Sequence, residues 1–145
     1  MKPNFRCDCP ITSALDIVGD KWTLVLVKMM LLEDRQTFKD FLEGDEHIAS
    51  NILSARLKML EEYHMVTKGK RPENKKTNIY RLTDKGLDLM PIIVELALWS
   101  DHNLRDIHPI LRADDSLELM KSQKEQSIQM LQEQYRTQTA QLDLI

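Results

Sequence analysis

The chain has 145 residues, 42% of them hydrophobic and 30% charged, with a formal net charge of −3 at pH 7, the balance of one globular domain with room for an added arm. No apolar run reaches the roughly 20 residues that cross a bilayer, and the start MKPNFRCDCP lacks the apolar segment of a secretory leader, so no membrane contact and a cytoplasmic address are expected. The acidic total argues against indiscriminate adhesion to nucleic acid, and the absence of a Gly-rich phosphate loop, a nucleophile elbow or a paired-carboxylate motif argues against an enzyme or a bound cofactor.

Residues 10–18, PITSALDIV, place Ile11, Ala14, Leu15 and Val18 at i, i+3, i+4 and i+7. Pro10 suits a first helical position, Gly19 ends the segment, and the stripe reads as a core-builder. Asp20 can cap a second helix whose core face runs Trp22, Val25, Leu26, Met29 and Leu32. Thr37 and Asp40 form a capping-box pattern opening a short third helix, and residues 43–47 make the turn after it. A fourth helix is expected from about Ala49 to Tyr63. Leu53, Leu57 and Leu60 face the core, while Asn51, Ala55 and Lys58 project oppositely, flanked by Ser50 and Ser54.

Strands are expected at 66–71 and 77–82, joined by Pro72-Glu73-Asn74 and a Lys75-Lys76 tip. Tyr80 and Leu82 point one way from the second strand, Ile79 and Arg81 the other. Thr83 then caps a long helix, with Leu82 and Leu87 as a hydrophobic staple and a stripe of Leu87, Met90, Val94, Ala97 and Leu98, kinked or restarted at Pro91. Residues 113–145 contain no Gly or Pro and favour helix. At seven-residue spacing Leu117, Lys124, Leu131, Gln138 and Ile145 fill one row and Lys121, Ile128, Tyr135 and Leu142 the other, a weak seam that suits an arm on a partner subunit or a solvated tail.

Charge is segregated along this order. Residues 47–83 hold five Lys and three Arg against three Glu, a net +5, which leaves −8 on the other 108 residues. A helix with a small polar face, followed by a lysine-rich hairpin, is what a phosphate-facing surface on an acidic protein requires. A major groove roughly 12 Å wide admits such a helix. The competing readings are a helix face and hairpin that are merely solvated, and a winged-helix protein-interaction module without a redox switch whose tail is the partner-binding helix.

Specific residues narrow the pattern. Cys9-Pro10, the run Ile17-Val18-Gly19-Asp20-Lys21-Trp22-Thr23, Leu57-Lys58-Met59-Leu60-Glu61, Tyr80-Arg81-Leu82-Thr83-Asp84-Lys85-Gly86 and Trp99 together resemble the HxlR-type winged helix-turn-helix regulators over roughly residues 7–103, with 104–145 as a helical extension outside the likeness. The resemblance implies a mostly α fold with a small β-hairpin and N-terminal and C-terminal dimerisation helices. It implies a homodimeric bacterial transcriptional regulator, such as a repressor, on a pseudo-palindromic double-stranded DNA operator. In that scheme Ser50, Asn51, Ser54, Ala55, Arg56 and Lys58 lie on the recognition helix, and Lys70, Arg71, Lys75 and Lys76 on the wing. Several members sense electrophiles or oxidants through a cysteine at the position of Cys9. The chain departs from the family at His64-Met65, where a Gly-Leu pair is usual, and in carrying a second thiol, Cys7.

Cys9 precedes a helix start, whose positive dipole end lowers a thiol pKa, with Arg6 adding and Asp8 opposing. A redox or electrophile sensor at Cys9, with Cys7 beside it, and an unreactive cysteine both remain open. Metal binding by the two thiols with a histidine is weaker, because Cys-x-Cys lacks a second ligand pair and His47, His64, His102 and His108 show no ligand spacing.

Overall fold

A computed structural model of the protein describes residues 3–142 and 144–145. Pro10 opens α1 (Pro10–Val18), and the chain turns through Gly19 into α2 (Thr23–Leu32). The carboxylate of Asp20 accepts the N–H groups of Trp22 at 2.9 Å and Thr23 at 3.0 Å, satisfying donors that the first turn of α2 leaves unpaired. Thr37 and Asp40 close a reciprocal capping box on α3 (Phe38–Leu42). The fourth helix, α4 (Ser50–Glu62), is followed by β1 (Val66–Arg71), β2 (Asn74–Leu82), α5 (Asp84–Leu87), α6 (Met90–Asn103), α7 (Asp115–Ser122) and α8 (Lys124–Ala140). This is the expected mostly helical winged helix-turn-helix, with one antiparallel hairpin. Among the described residues no helix is long and apolar enough to cross a membrane.

The core gathers Leu26, Val27, Met29 and Met30 of α2, Phe41 of α3, Leu53, Leu57 and Leu60 of α4, and Tyr80 and Leu82 of β2. Phe41 and Tyr80 meet edge to face with ring centroids 6.2 Å apart. Thr83 fastens the junction behind α4. Its N–H donates to Met65 O at 3.0 Å, its hydroxyl donates to His64 O at 2.6 Å, and that hydroxyl accepts Gly86 N–H at 3.2 Å. A side chain at residue 86 would not fit, since a Cβ there would lie 2.3 Å from Met65 O.

Four expectations need correction. The stripe on α1 does not build the core: Ile11 is 73% exposed and Leu15 54%, and only Val18 is buried. Helix α2 is apolar nearly all round and is packed on several sides, so Val27 and Met30 are buried with Leu26 and Met29, while Leu32 turns out to solvent. Lys75 and Lys76 are not a hairpin tip. Arg71 pairs directly with Asn74 across a Pro72-Glu73 turn, and Asn74 Oδ1 accepts Lys76 N–H at 3.2 Å, so both lysines begin β2. The restart expected at Pro91 is present, with α5 and α6 as separate helices.

The fourth concerns residues 113–145, whose described part forms neither a continuous seam nor a solvated tail. The helix breaks at Gln123, and α7 and α8 fold back on their own domain, burying Leu117, Met120, Ser127 and Tyr135. Tyr135 joins the main core, and its phenol oxygen accepts the buried Leu82 N–H at 2.8 Å. Burial pushes this phenol above its ordinary range, partly countered by that hydrogen bond, so it stays protonated. Met120 packs with Met90 and Val94 in a second cluster under α6.

His64 explains its own departure from the family pattern. It follows α4 with φ 59°, the left-handed region where glycine is unstrained and a Cβ costs about 1 kcal/mol. His64→Gly is expected to stabilise the fold by up to about 1 kcal/mol, read as a higher urea midpoint with unchanged slope. A lowered midpoint would contradict this account.

Candidate nucleic-acid interface

Helix α4 is held by Leu53, Leu57 and Leu60, all buried, which leaves the opposite side free. Ser50, Asn51, Ser54, Ala55 and Lys58 are exposed, at i, i+1, i+4, i+5 and i+8, a single stripe of small or polar side chains ending in a cation. Such a stripe has the shape and donors to meet base edges. Arg56 departs from it. Half-buried, it turns back toward Asp20, with its guanidinium 3.5 Å from the carboxylate. Burial raises the Asp20 carboxyl, but hydrogen bonds from Thr23 and Trp22 and the Arg56 charge outweigh it and hold Asp20 below the usual carboxylate range. Arg56 therefore braces α4 against the start of α2. Asp20 supplied this role unnoticed in the sequence, because an acid before a helix reads fully as a cap.

The hairpin carries the remaining cations. Arg71, Lys75 and Lys76 are exposed and Lys70 half-buried, and among the described residues none of them, nor Lys58, enters an ion pair. Lys68, by contrast, lies 3.6 Å from Glu61 of α4. Unpaired cations keep their full attraction for phosphate, and interactions of that kind orient a protein on a duplex without reading sequence. The structure thus presents the sequence-predicted residues on two elements, a helix face and a strand pair.

Cys9 is the residue immediately before α1 and Cys7 is exposed; both are free thiols. The expected help from Arg6 is absent, since its guanidinium is committed to Asp16 at 2.6 Å. What lowers the Cys9 thiol is, first, the N–H of Thr12, then the Thr12 hydroxyl and the Ile11 N–H, against a small opposing effect of burial. The sulfur makes no capping hydrogen bond as a thiol. As a thiolate it takes the place of a capping oxygen, stabilised by the open donors of the first turn. Thr12 was missed in the sequence, although its position three residues after a helix-capping thiol marks it. Among the described residues no group of three or more His, Cys, Asp and Glu is placed to hold a metal ion.

Away from α4, Ile11 and Leu15 of α1 and Ile92, Leu96 and Trp99 of α6 are exposed, the last three at i, i+4 and i+7.

The sequence model of the HxlR-like helix-turn-helix family matches residues 17–108. The chain belongs to this family. It is a helix-turn-helix transcriptional regulator and not an enzyme. The HTH-type transcriptional regulator YodB of Bacillus subtilis is 32% identical over 94 residues, which span 64% of this chain and 83% of YodB. The crystal structure of PA1607 superposes with a TM-score of 0.59 at 31% identity, covering 76% of this chain and 70% of that one. YodB itself has been solved in a reduced form, with a TM-score of 0.54 at 31% identity over 67% of this chain and 95% of YodB. It has also been solved in a quinone-bound form, with a TM-score of 0.51 at 30% identity over 66% and 99%.

The Cys9 environment makes a kinetic statement. Its alkylation by iodoacetamide, followed by mass spectrometry across pH, is expected to show a midpoint below the roughly 8.5 of an ordinary thiol. Thr12→Val should move that midpoint upward by removing the hydroxyl donor. An ordinary midpoint in the parent chain would contradict the assignment.

Proposed function

We propose that the chain is a homodimeric regulator that binds a pseudo-palindromic operator through α4 and the β-hairpin, and that modification of Cys9 switches this binding. The observation that carries the DNA-binding part is the exposed polar stripe of α4 beside a hairpin on which Lys70, Arg71, Lys75 and Lys76 enter no ion pair among the described residues. Ser50, Asn51, Ser54, Ala55 and Lys58 meet base edges, Arg56 holds the helix at its angle through Asp20, and Lys70, Arg71, Lys75 and Lys76 hold phosphates. Residues 7–103 form the DNA-binding unit and 104–145 an extension of it. A chromosomal target places the protein in the cytoplasm.

The apolar residues left outside on α1 and α6 support the homodimer. Burying Leu15 and Trp99 against a second copy removes from water the surface that the core does not use, each large side chain contributing about 1.5–3 kcal/mol. Two copies then set their recognition helices about 34 Å, or a multiple, apart along the duplex. Trp99→Asp is expected to shift the protein to monomer in sedimentation velocity and to weaken operator binding with it. A dimer that persists in both Trp99→Asp and Leu15→Asp would place the interface elsewhere.

Cys9 supports the switch through its stabilised thiolate and its place at the start of α1, one of the proposed dimer helices. Addition to a quinone forms a carbon–sulfur bond from the thiolate electron pair, and the ring takes up the electrons and a proton to become a hydroquinone thioether. That chemistry suits a family relative solved in a quinone-bound form. Cys7 stands two residues away as a second thiol for disulfide exchange after oxidation by diamide.

The deciding experiment titrates DNA from upstream of the protein's own gene at two salt concentrations, with and without quinone. Tight binding with a negative salt slope is expected. Lys75→Glu with Lys76→Glu should weaken it uniformly across sequences and reduce the slope by about 0.9 for each phosphate no longer neutralised. Cys9→Ser should bind as the parent does and no longer respond to quinone or diamide. Absence of binding by both reduced and treated protein would end the DNA reading, whereas a retained response in Cys9→Ser would end only the switch.

A further inference from the structure

The extension beyond the family match does more than cover the domain, because it meets the hairpin's backbone on both outer edges. On β2 the Leu82 N–H donates to the Tyr135 phenol oxygen at 2.8 Å, and the Arg81 guanidinium donates to Thr139 O at 3.4 Å. On β1 the register with β2 breaks between Gly69 and Arg71, and Lys70 between them is paired elsewhere. Its N–H donates to Ile145 O and its carbonyl accepts Ile145 N–H, both at 2.8 Å, a reciprocal bridge of the kind that adds a strand to a sheet edge.

The face between those edges is occupied as well. A Cβ on Gly69 would lie 3.0 Å from Leu144 Cβ, so the segment at Leu144 and Ile145 lies flush on β1. The hairpin is thereby held between its own core and the extension.

We infer that the extension is a strap that positions the wing for DNA, with Tyr135 and Ile145 acting as positioning residues through the backbone of Leu82 and Lys70. An isolated two-stranded hairpin is marginally stable in water, and here the core holds only the Val66, Tyr80 and Leu82 end of it. Fixing the rest beforehand removes an ordering cost from binding. The inference rests on the wing's role proposed above and adds to it a part of the chain that the family pattern does not contain.

Two full-length variants release the strap while leaving the core filled. Tyr135→Phe keeps the ring and removes the oxygen that accepts Leu82 N–H, and Ile145→Pro removes the N–H given to Lys70. Each is expected to bind the upstream DNA roughly 3–10-fold more weakly, as when preorganisation is removed. Each should also show a salt slope smaller by about 0.9 for every wing phosphate released. NMR hydrogen exchange should show faster exchange at Lys70 in Ile145→Pro. In a Lys75→Ala, Lys76→Ala background the same substitutions should weaken binding little further, because both sets act through one group of phosphates.

Unchanged affinity and slope, a fully additive effect in the background without the two lysines, or tighter binding on release would each overturn the positioning role. Unchanged Lys70 exchange in Ile145→Pro would remove the bridge itself. If the parent chain binds no upstream DNA, the DNA reading fails separately, and the strap then stands or falls on exchange at Lys70 and Leu82.

Discussion

A two-stranded hairpin leaves a row of backbone N–H and C=O groups on each outer edge, and any of these that is buried must find a partner. The seating of β2 answers that demand and organises the domain. Tyr80 N–H is taken by Gln36 O at 2.8 Å, from the segment leading into α3, and Leu82 N–H by Tyr135 in α8. Between these two bonds the side chains of Tyr80 and Leu82 enter the core beside Phe41 and Leu60. One strand thus fixes the approach to α3, the hairpin and the last helix together. Leaving the Leu82 donor unsatisfied would cost about 1–3 kcal/mol, a large part of the stability of a domain this size.

The central unit was legible in the sequence because each part carries a local signal. Thr37 and Asp40 announce a helix start, Leu53, Leu57 and Leu60 a buried stripe, and Tyr80 and Leu82 an alternating strand, and the structure realises all three. The failures share a different cause. Periodicity in α1 is real, yet it says only that one face is apolar and not what will cover it. The tail's heptad rows were a weak pattern, and a break at Gln123 with a fold back onto Met90 and Val94 depends on residues far away in sequence. Lys75 and Lys76 were misplaced by two residues of turn. Among the site residues, the exposed stripe of α4 followed from spacing alone, whereas the attachment of Arg56 to Asp20 did not.

Electrostatics are divided in the same way as the fold. Acidic groups of the central helices and their turns are consumed locally, Asp40 by the N–H groups of Gln36 and Thr37, and Glu33 and Glu46 by Lys28. The hairpin has only Glu73 of its own, so among the described residues Lys70, Lys75 and Lys76 are left over by composition, while Lys68 is taken by Glu61 of α4. That makes attraction to a polyanion local and salt-sensitive, while the net charge of −3 discourages binding elsewhere.

The clasp at Thr83 gives the molecule a mechanical character. Two hydrogen bonds from Thr83, its N–H to Met65 O and its hydroxyl to His64 O, and an approach with no room for a side chain at Gly86 join the end of α4 and the start of β1 to α5, with α6 following after Leu89. There is no slack at that joint for one helix to pivot while the other stays. The end of α4 is thereby linked through Thr83 to α5, so a shift on either side of the joint must be taken up on the other.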